Sequence, residues 1–135
     1  MSGYSRSSNV AAYQSVAAHG GVAAADPHRL ILMLLDGVLE RIAGARGAIG
    51  AGASEQKTRL IHRSVAIVDE LRASLNFEAG GQIARNMGDL YEYISRQLMR
   101  ANLENRMDLL DECSHLLQEL RSAWILVPGL AGQAR

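Results

Sequence analysis

Four long stretches of the chain repeat apolar residues at spacings of three and four, and this pattern most constrains the fold. The stretches begin near Pro27, Ser54, Ile83 and Met107, and short segments rich in Gly or Asn separate them. Such spacing gathers apolar side chains on one face of a helix and polar side chains on the other. No stretch alternates apolar and polar residues as a strand does. The sequence therefore predicts four amphipathic helices.

The ends of these helices follow from residues that favour caps and breaks. Asp26 can accept the free amide hydrogen bonds of a first turn, and Pro27 needs no amide at the first helical position. Ser54 is the predicted cap of the second helix. The predicted connections are residues 50–52, 76–81 and 102–105, and Pro128-Gly129 ends the fourth helix. Short connections force long neighbouring helices to run antiparallel, so we predict an all-α, antiparallel up-down four-helix bundle.

A short N-terminal cap helix is predicted to precede the bundle. Residues 1–8 are small and polar and have no apolar period, which is typical of a flexible tail. Asn9 can cap a short helix after them, and His19-Gly20-Gly21 would end it. We therefore divide the chain into residues 1–25, a flexible tail and cap helix; residues 26–127, the bundle domain; and residues 128–135, a flexible C-terminal tail.

Composition argues against several classes of protein. Fourteen Lys and Arg balance fourteen Asp and Glu, for a formal net charge of zero, so we expect no binding of nucleic acid. Cys113 is the only cysteine, which excludes an internal disulfide and favours the reducing cytoplasm. The longest apolar run, residues 30–35, is far shorter than the roughly 20 residues of a membrane-spanning helix. We expect no stable membrane insertion.

Glu112 and His115 are the best candidates for catalysis. Di-iron four-helix proteins use Glu-x-x-His to direct both side chains at one metal, but they need this motif twice, and two further Glu. It occurs once here. Cys113 and His115 lie about 200° apart around a helix, which does not favour a joint metal or thiolate site. We predict no enzyme activity, no cofactor and no metal; a metal-dependent enzyme is the alternative that metal analysis would test.

The first predicted helix carries more apolar residues than one packing face needs. Leu32, Met33 and Leu35 flank a core stripe that is already complete. The N-terminal segment, with Tyr13 and Val16, could cover them, and a partner helix could displace that segment. The alternative is that two neighbouring helices bury the excess.

Several segments occur in one order and spacing between Tyr13 and Trp124. They are Tyr13-Gln14-x-Val16, Asp26-Pro27-His28-Arg29-Leu30-Ile31-Leu32-Met33-Leu34-Leu35-Asp36-Gly37, Ser74-Leu75-Asn76-Phe77-Glu78-x-Gly80-Gly81-x-Ile83-Ala84-x-Asn86-Met87, Leu90-Tyr91-x-Tyr93 and Ala101-Asn102. This series resembles FliS, the family of flagellar secretion chaperones. The chain departs from the family where Leu35 replaces the usual Tyr, Asn76 the usual Asp and Val38 the commoner Ala, which affects groove contacts more than the fold.

The resemblance implies a four-helix bundle with an N-terminal cap, and a cytoplasmic function. That function is to bind the disordered C-terminal segment of flagellin, prevent premature polymerisation and deliver the subunit to the flagellar type III export gate. A helical adaptor or regulator with a different client is the alternative.

Under this resemblance we assign candidate partner-binding residues to a cap and a groove. The expected displaceable cap consists of Tyr13, Gln14 and Val16. The candidate groove or supporting residues are Leu34, Leu35, Leu90, Tyr91, Tyr93 and Leu98. We expect the pair Tyr13→Ala and Leu35→Asp to weaken binding without unfolding the bundle.

Overall fold

The structure, a computed structural model, describes residues 26–126. Within them four helices follow one another: α1 (Pro27–Ala51), α2 (Ser54–Ala73), α3 (Phe77–Glu104) and α4 (Met107–Leu126). This part of the chain contains no strand. The predicted all-α four-helix bundle is confirmed, whereas the predicted cap helix lies outside the described residues. The division of the chain into three regions stays a prediction.

The four helices form a closed ring in the order of the chain. α1 and α3 each pack against both α2 and α4. Side-chain contacts show the antiparallel direction of α1 and α4: His28, at the start of α1, contacts Trp124 near the end of α4, and Arg46 pairs with Asp111 at the other end. We call the end where α1 and α3 begin and α2 and α4 stop the basal end.

Capping residues explain both ends of α1. The Asp26 carboxylate accepts a hydrogen bond from the Arg29 amide at 3.2 Å, as predicted. Gly52 ends the helix with φ 70°, in the left-handed region that suits glycine. The prediction that Ser54 caps α2 is wrong, because Ser54 is the first helical residue and Ala53 occupies the cap position. The Ala53 amide donates to Ala48 at the end of α1, so the turn is too short to place Ser54 before the helix.

The predicted connection at residues 102–105 is shorter in the structure. α3 continues to Glu104, and Asn105 alone takes the left-handed conformation, with φ 53°. Lys57 on α2 donates hydrogen bonds to the Asn102 carbonyl oxygen at 2.9 Å and to Asn105 Oδ1 at 2.7 Å. The buried ammonium group thus satisfies acceptors that the end of α3 leaves free, which lets the helix continue past the predicted break.

The core is almost entirely aliphatic and runs through the centre of the bundle. Its buried side chains are Leu34, Leu35, Val38, Ile42, Ala45, Ile61, Val68, Leu71, Tyr91, Ile94, Leu98, Ala101, Leu109, Leu110, Cys113 and Leu117. Leu35 is only 1% exposed. An aspartate there would bury an unpaired carboxylate among aliphatic groups. We therefore expect Leu35→Asp to destabilise the bundle, in contrast to the expectation from sequence.

Candidate functional site

The structure divides the predicted partner-binding residues into three groups. Four are buried in the core and can only support a surface: Leu34, Leu35, Tyr91 and Leu98. Two are half-buried on α3 and pack against the core: Leu90 and Tyr93. The three predicted cap residues lie outside the described residues: Tyr13, Gln14 and Val16. Within the described groove set, Leu90 and Tyr93 are therefore the side chains that reach the surface.

A polar cross-link joins the middle of α3 to the first half of α4. Tyr93 Oη donates to Glu112 Oε2 at 2.6 Å, and Gln97 Nε2 donates to Glu112 Oε1 at 3.2 Å. The bond to the carboxylate raises the pKa of the Tyr93 hydroxyl above its ordinary value, so the hydroxyl keeps the proton that it donates. This contact fixes the register of the two helices.

An apolar strip runs from this cross-link toward the basal end. It consists of Ile83, Met87 and Leu90 on α3 and Leu116, Leu120 and Trp124 on α4. Steps of three and four place each set along one helix face, and the two helices pack against each other, so the two sets follow the same stretch of the pair. Ile83 is 58% exposed, whereas the other five are half-buried against the core. We call these six residues the α3–α4 strip.

Large exposed apolar side chains concentrate near the basal end. Within residues 26–126 those at this end are Met33, Phe77, Ile83, Ile125 and Leu126, whereas Met99 and Leu103 lie farther along α3. Exposed apolar groups that cluster on a surface commonly mark protein contacts. Of the three residues predicted to be in excess on α1, Leu35 is buried in the core, Leu32 is half-buried and Met33 is exposed. Neighbouring helices thus bury only part of that excess.

Phe77 closes a notch that sequence reasoning did not identify. Gly81 has φ 53° and ψ −130°, so α3 is broken between its first turn and the rest. The first turn folds back and brings two carbons of the Phe77 ring within 3.3 Å of where a Cβ on Gly88 would be, with Leu75 Cδ1 at 3.6 Å. The predicted break at residues 76–81 is thus right at Gly81, although residues 77–80 are helical. The aromatic residue shortly before Gly80-Gly81 was the available signal.

A clasp between His28 and Trp124 holds the basal end together. The two rings stack with centroids 5.2 Å apart and planes 10° from parallel. Trp124 Nε1 donates to the His28 carbonyl oxygen at 2.9 Å, and His28 Nε2 donates to the Trp124 carbonyl oxygen at 2.6 Å. The indole is therefore fixed at the end of the α3–α4 strip.

The candidate catalytic residues are used in other contacts. The Glu112 carboxylate accepts from Tyr93 and Gln97, and His115 contacts Glu119 on the exposed face of α4 at 3.2 Å. Burial raises the pKa of the Cys113 thiol to about 12, so the reactive thiolate is disfavoured. Across residues 26–126 no three His, Cys, Asp or Glu side chains are grouped to hold a metal, and no helix there is long and apolar enough to cross a membrane.

Comparison with known proteins identifies the relatives of this chain. The family model described as flagellar protein FliS matches residues 9–129. Flagellar secretion chaperone FliSB of Pseudomonas aeruginosa is 45% identical over 112 residues, covering 83% of this chain and 89% of the relative. Flagellar secretion chaperone FliS of Salmonella typhimurium is 36% identical over 118 residues, covering 87% of each chain. The corresponding protein of Vibrio cholerae is 32% identical over 117 residues, covering 87% of this chain and 86% of the relative. The family resemblance is thereby confirmed: the chain belongs to the FliS family of flagellar secretion chaperones.

Proposed function

We propose that this flagellar export chaperone binds the C-terminal segment of flagellin in the cytoplasm, prevents its premature polymerisation and assists its delivery to the flagellar type III secretion apparatus. It acts by binding and without catalysis. Family membership supports the chaperone role in flagellar export. The α3–α4 strip is the observation that supports a helical client segment.

The dimensions and spacing of the strip suit an amphipathic helix. From Ile83 to Leu90 the α3 face spans about 10 Å, which matches two turns of a client helix. Client residues at i, i+3 or i+4, and i+7 would meet the two rows of half-buried side chains, as in other complexes that place a helix in a groove. A segment that is disordered when free must lose conformational entropy as it folds on this surface. That cost keeps the complex releasable at the export apparatus.

Burial, rather than charge, supplies the attraction. The strip contributes six apolar side chains, and the whole chain has a formal net charge of zero. Long-range steering by charge is therefore weak, and salt should change the affinity little. Apolar burial should instead give the binding reaction a negative heat-capacity change.

The predicted cap and core residues have distinct roles in this proposal. Tyr13, Gln14 and Val16 would cover the strip in the free protein and leave it when the client binds. Their segment joins the bundle at Asp26, which precedes α1 at the basal end, the end toward which the strip runs. The buried residues of the predicted set, Leu34, Leu35, Tyr91 and Leu98, hold the helices that form the surface.

Isothermal titration with a peptide of the last few tens of residues of the host flagellin tests the proposal. Ile83→Asp places a charge at the exposed part of the strip, and we expect it to lower the affinity at least tenfold. Leu103→Asp is the matched control, because Leu103 is 80% exposed on the same helix but lies far from the strip. If wild-type protein shows no saturable binding, flagellin is not the client. If both variants weaken binding equally, the strip is not the site.

A further inference from the structure

We propose that Phe77 is an internal placeholder, and that a large apolar side chain of the bound flagellin segment replaces its ring over Gly88. The inference rests on the proposed function and adds to it a second client contact and the movement that opens it. The first turn of α3 would swing away about Gly81 when the client binds.

The backbone brings Phe77 to this position only because α3 is broken. In a continuous helix residues 77 and 88 would be about 16 Å apart along the axis. The ring instead lies 3.3 Å from the position of a Cβ on Gly88. Gly81, with φ 53° and ψ −130°, takes a conformation that other residues rarely adopt. The unusual backbone conformation of Gly81 thus places the Phe77 ring over Gly88.

The notch exists because residue 88 has no side chain. Gly88 is buried on α3, and Leu75 forms one wall beside it. A methyl group at residue 88 would already be tight against the ring, so the ring fills the space that the missing side chain leaves. Its present occupant shows the chemistry that it accepts: a flat or branched apolar side chain.

The Phe77 ring is only partly buried. Phe77 remains 45% exposed while it contacts the notch, so only part of its apolar surface is buried. Two hydrogen bonds lie within the turn: the Ala79 amide donates to Asn76 Oδ1 at 3.0 Å, and the Gly80 amide donates to the Asn76 carbonyl oxygen at 2.8 Å. The turn can therefore move as a unit without breaking these bonds.

The notch is within reach of a client that occupies the α3–α4 strip. Gly88 follows Met87 of the strip, so the notch lies about 100° around α3 from it. Both open near the basal end. A client segment that leaves the strip can cross this end and present an apolar side chain to the notch.

Titration of the full-length chain with the flagellin peptide tests the placeholder. Because the ring competes with the client, the apparent dissociation constant equals the intrinsic one divided by the fraction of time that the notch is open. We expect Phe77→Ala to bind the peptide about three- to tenfold more tightly than wild type. Phe77→Leu, which still fills the notch, is the matched control and should bind like wild type. Gly88→Ala should weaken binding and should cancel the gain of Phe77→Ala in the double variant.

A second measurement follows the ring directly. Phe77 is the only phenylalanine in the chain, so incorporation of fluorophenylalanine gives a single ¹⁹F resonance. In wild-type protein this resonance should move toward its solvent-exposed position on saturation with peptide.

The possible outcomes distinguish failure of the flagellin proposal from failure of the proposed role of Phe77. If wild type does not bind the peptide, both the placeholder and the flagellin client are wrong. If wild type binds but Phe77→Ala binds equally or more weakly, Phe77 is not a placeholder and the proposed function stands. A ¹⁹F resonance that stays unchanged at saturation likewise overturns only the placeholder.

Discussion

Replacing Lys57 with methionine tests how much stability one buried ammonium group contributes. Lys57 is 7% exposed and donates to the Asn102 carbonyl oxygen and to Asn105 Oδ1. Hydrogen bonds to charged groups contribute about 1.5–3 kcal/mol each, and methionine recovers part of this because its chain fills similar space. We expect the free energy of unfolding to fall by about 2–3 kcal/mol, which corresponds to roughly 7–11 °C in Tm for a domain of this size.

Urea unfolding followed by circular dichroism measures this loss. Arg59→Met is the matched control, because Arg59 is exposed two residues later on the same helix, and its replacement should change the free energy of unfolding by less than about 0.5 kcal/mol. A loss for Lys57→Met that is no larger than for Arg59→Met would refute the role of Lys57 at the end of α3.

Two further measurements test the core and the helix surfaces. Above pH 9 the free energy of unfolding should fall as pH rises. Burial raises the pKa of the Cys113 thiol from 9.0 to about 12, so in this range only the unfolded chain loses the thiol proton. In urea unfolding between pH 9 and 12, Cys113→Ala should give a shallower dependence of this free energy on pH, and an equal slope would contradict the explanation. Gly47→Ala should raise the free energy of unfolding by about 0.5–1 kcal/mol, since no atom lies within 4 Å of its Cβ position. Gly44→Ala should gain less, because its methyl would lie 3.1 Å from Leu60 Cδ1; equal gains would show that this contact imposes no cost.

Local signals in the sequence were sufficient where a helix end depends on nearby residues. Asp26-Pro27 supplied both the cap and the first turn of α1, and the structure confirms them. Local signals gave the wrong helix end where a residue distant in sequence determines it. Asn102 to Asn105 contains good breakers, but Lys57 on another helix satisfies the end of α3 and lets it continue. Such a contact has no local trace in the sequence.

The sequence predicted which helices carry the candidate site, but not which of their side chains are exposed. Periodicity placed Ile83 and Leu98 on the same face of α3, yet Ile83 is exposed near the basal end and Leu98 is buried in the middle of the bundle. Position along the helix, which periodicity does not contain, decides between them. Leu35 was predicted as a groove or supporting residue, and its burial in the core fits only the supporting role. The position of the Phe77 ring depends on the backbone angles of Gly81, which cannot be predicted from composition.

The seam between α1 and α4 is closed by side chains alone, because no connection joins these two helices. His28 meets Trp124 across 96 positions and Asp36 meets Arg121 across 85, so these contacts form only after a long loop closes. During synthesis Leu116, Leu120 and Trp124 leave the ribosome after the first three helices, and half of the α3–α4 strip is missing until they do. Under the proposed function we therefore expect a nascent copy to hold no client segment until the final helix docks.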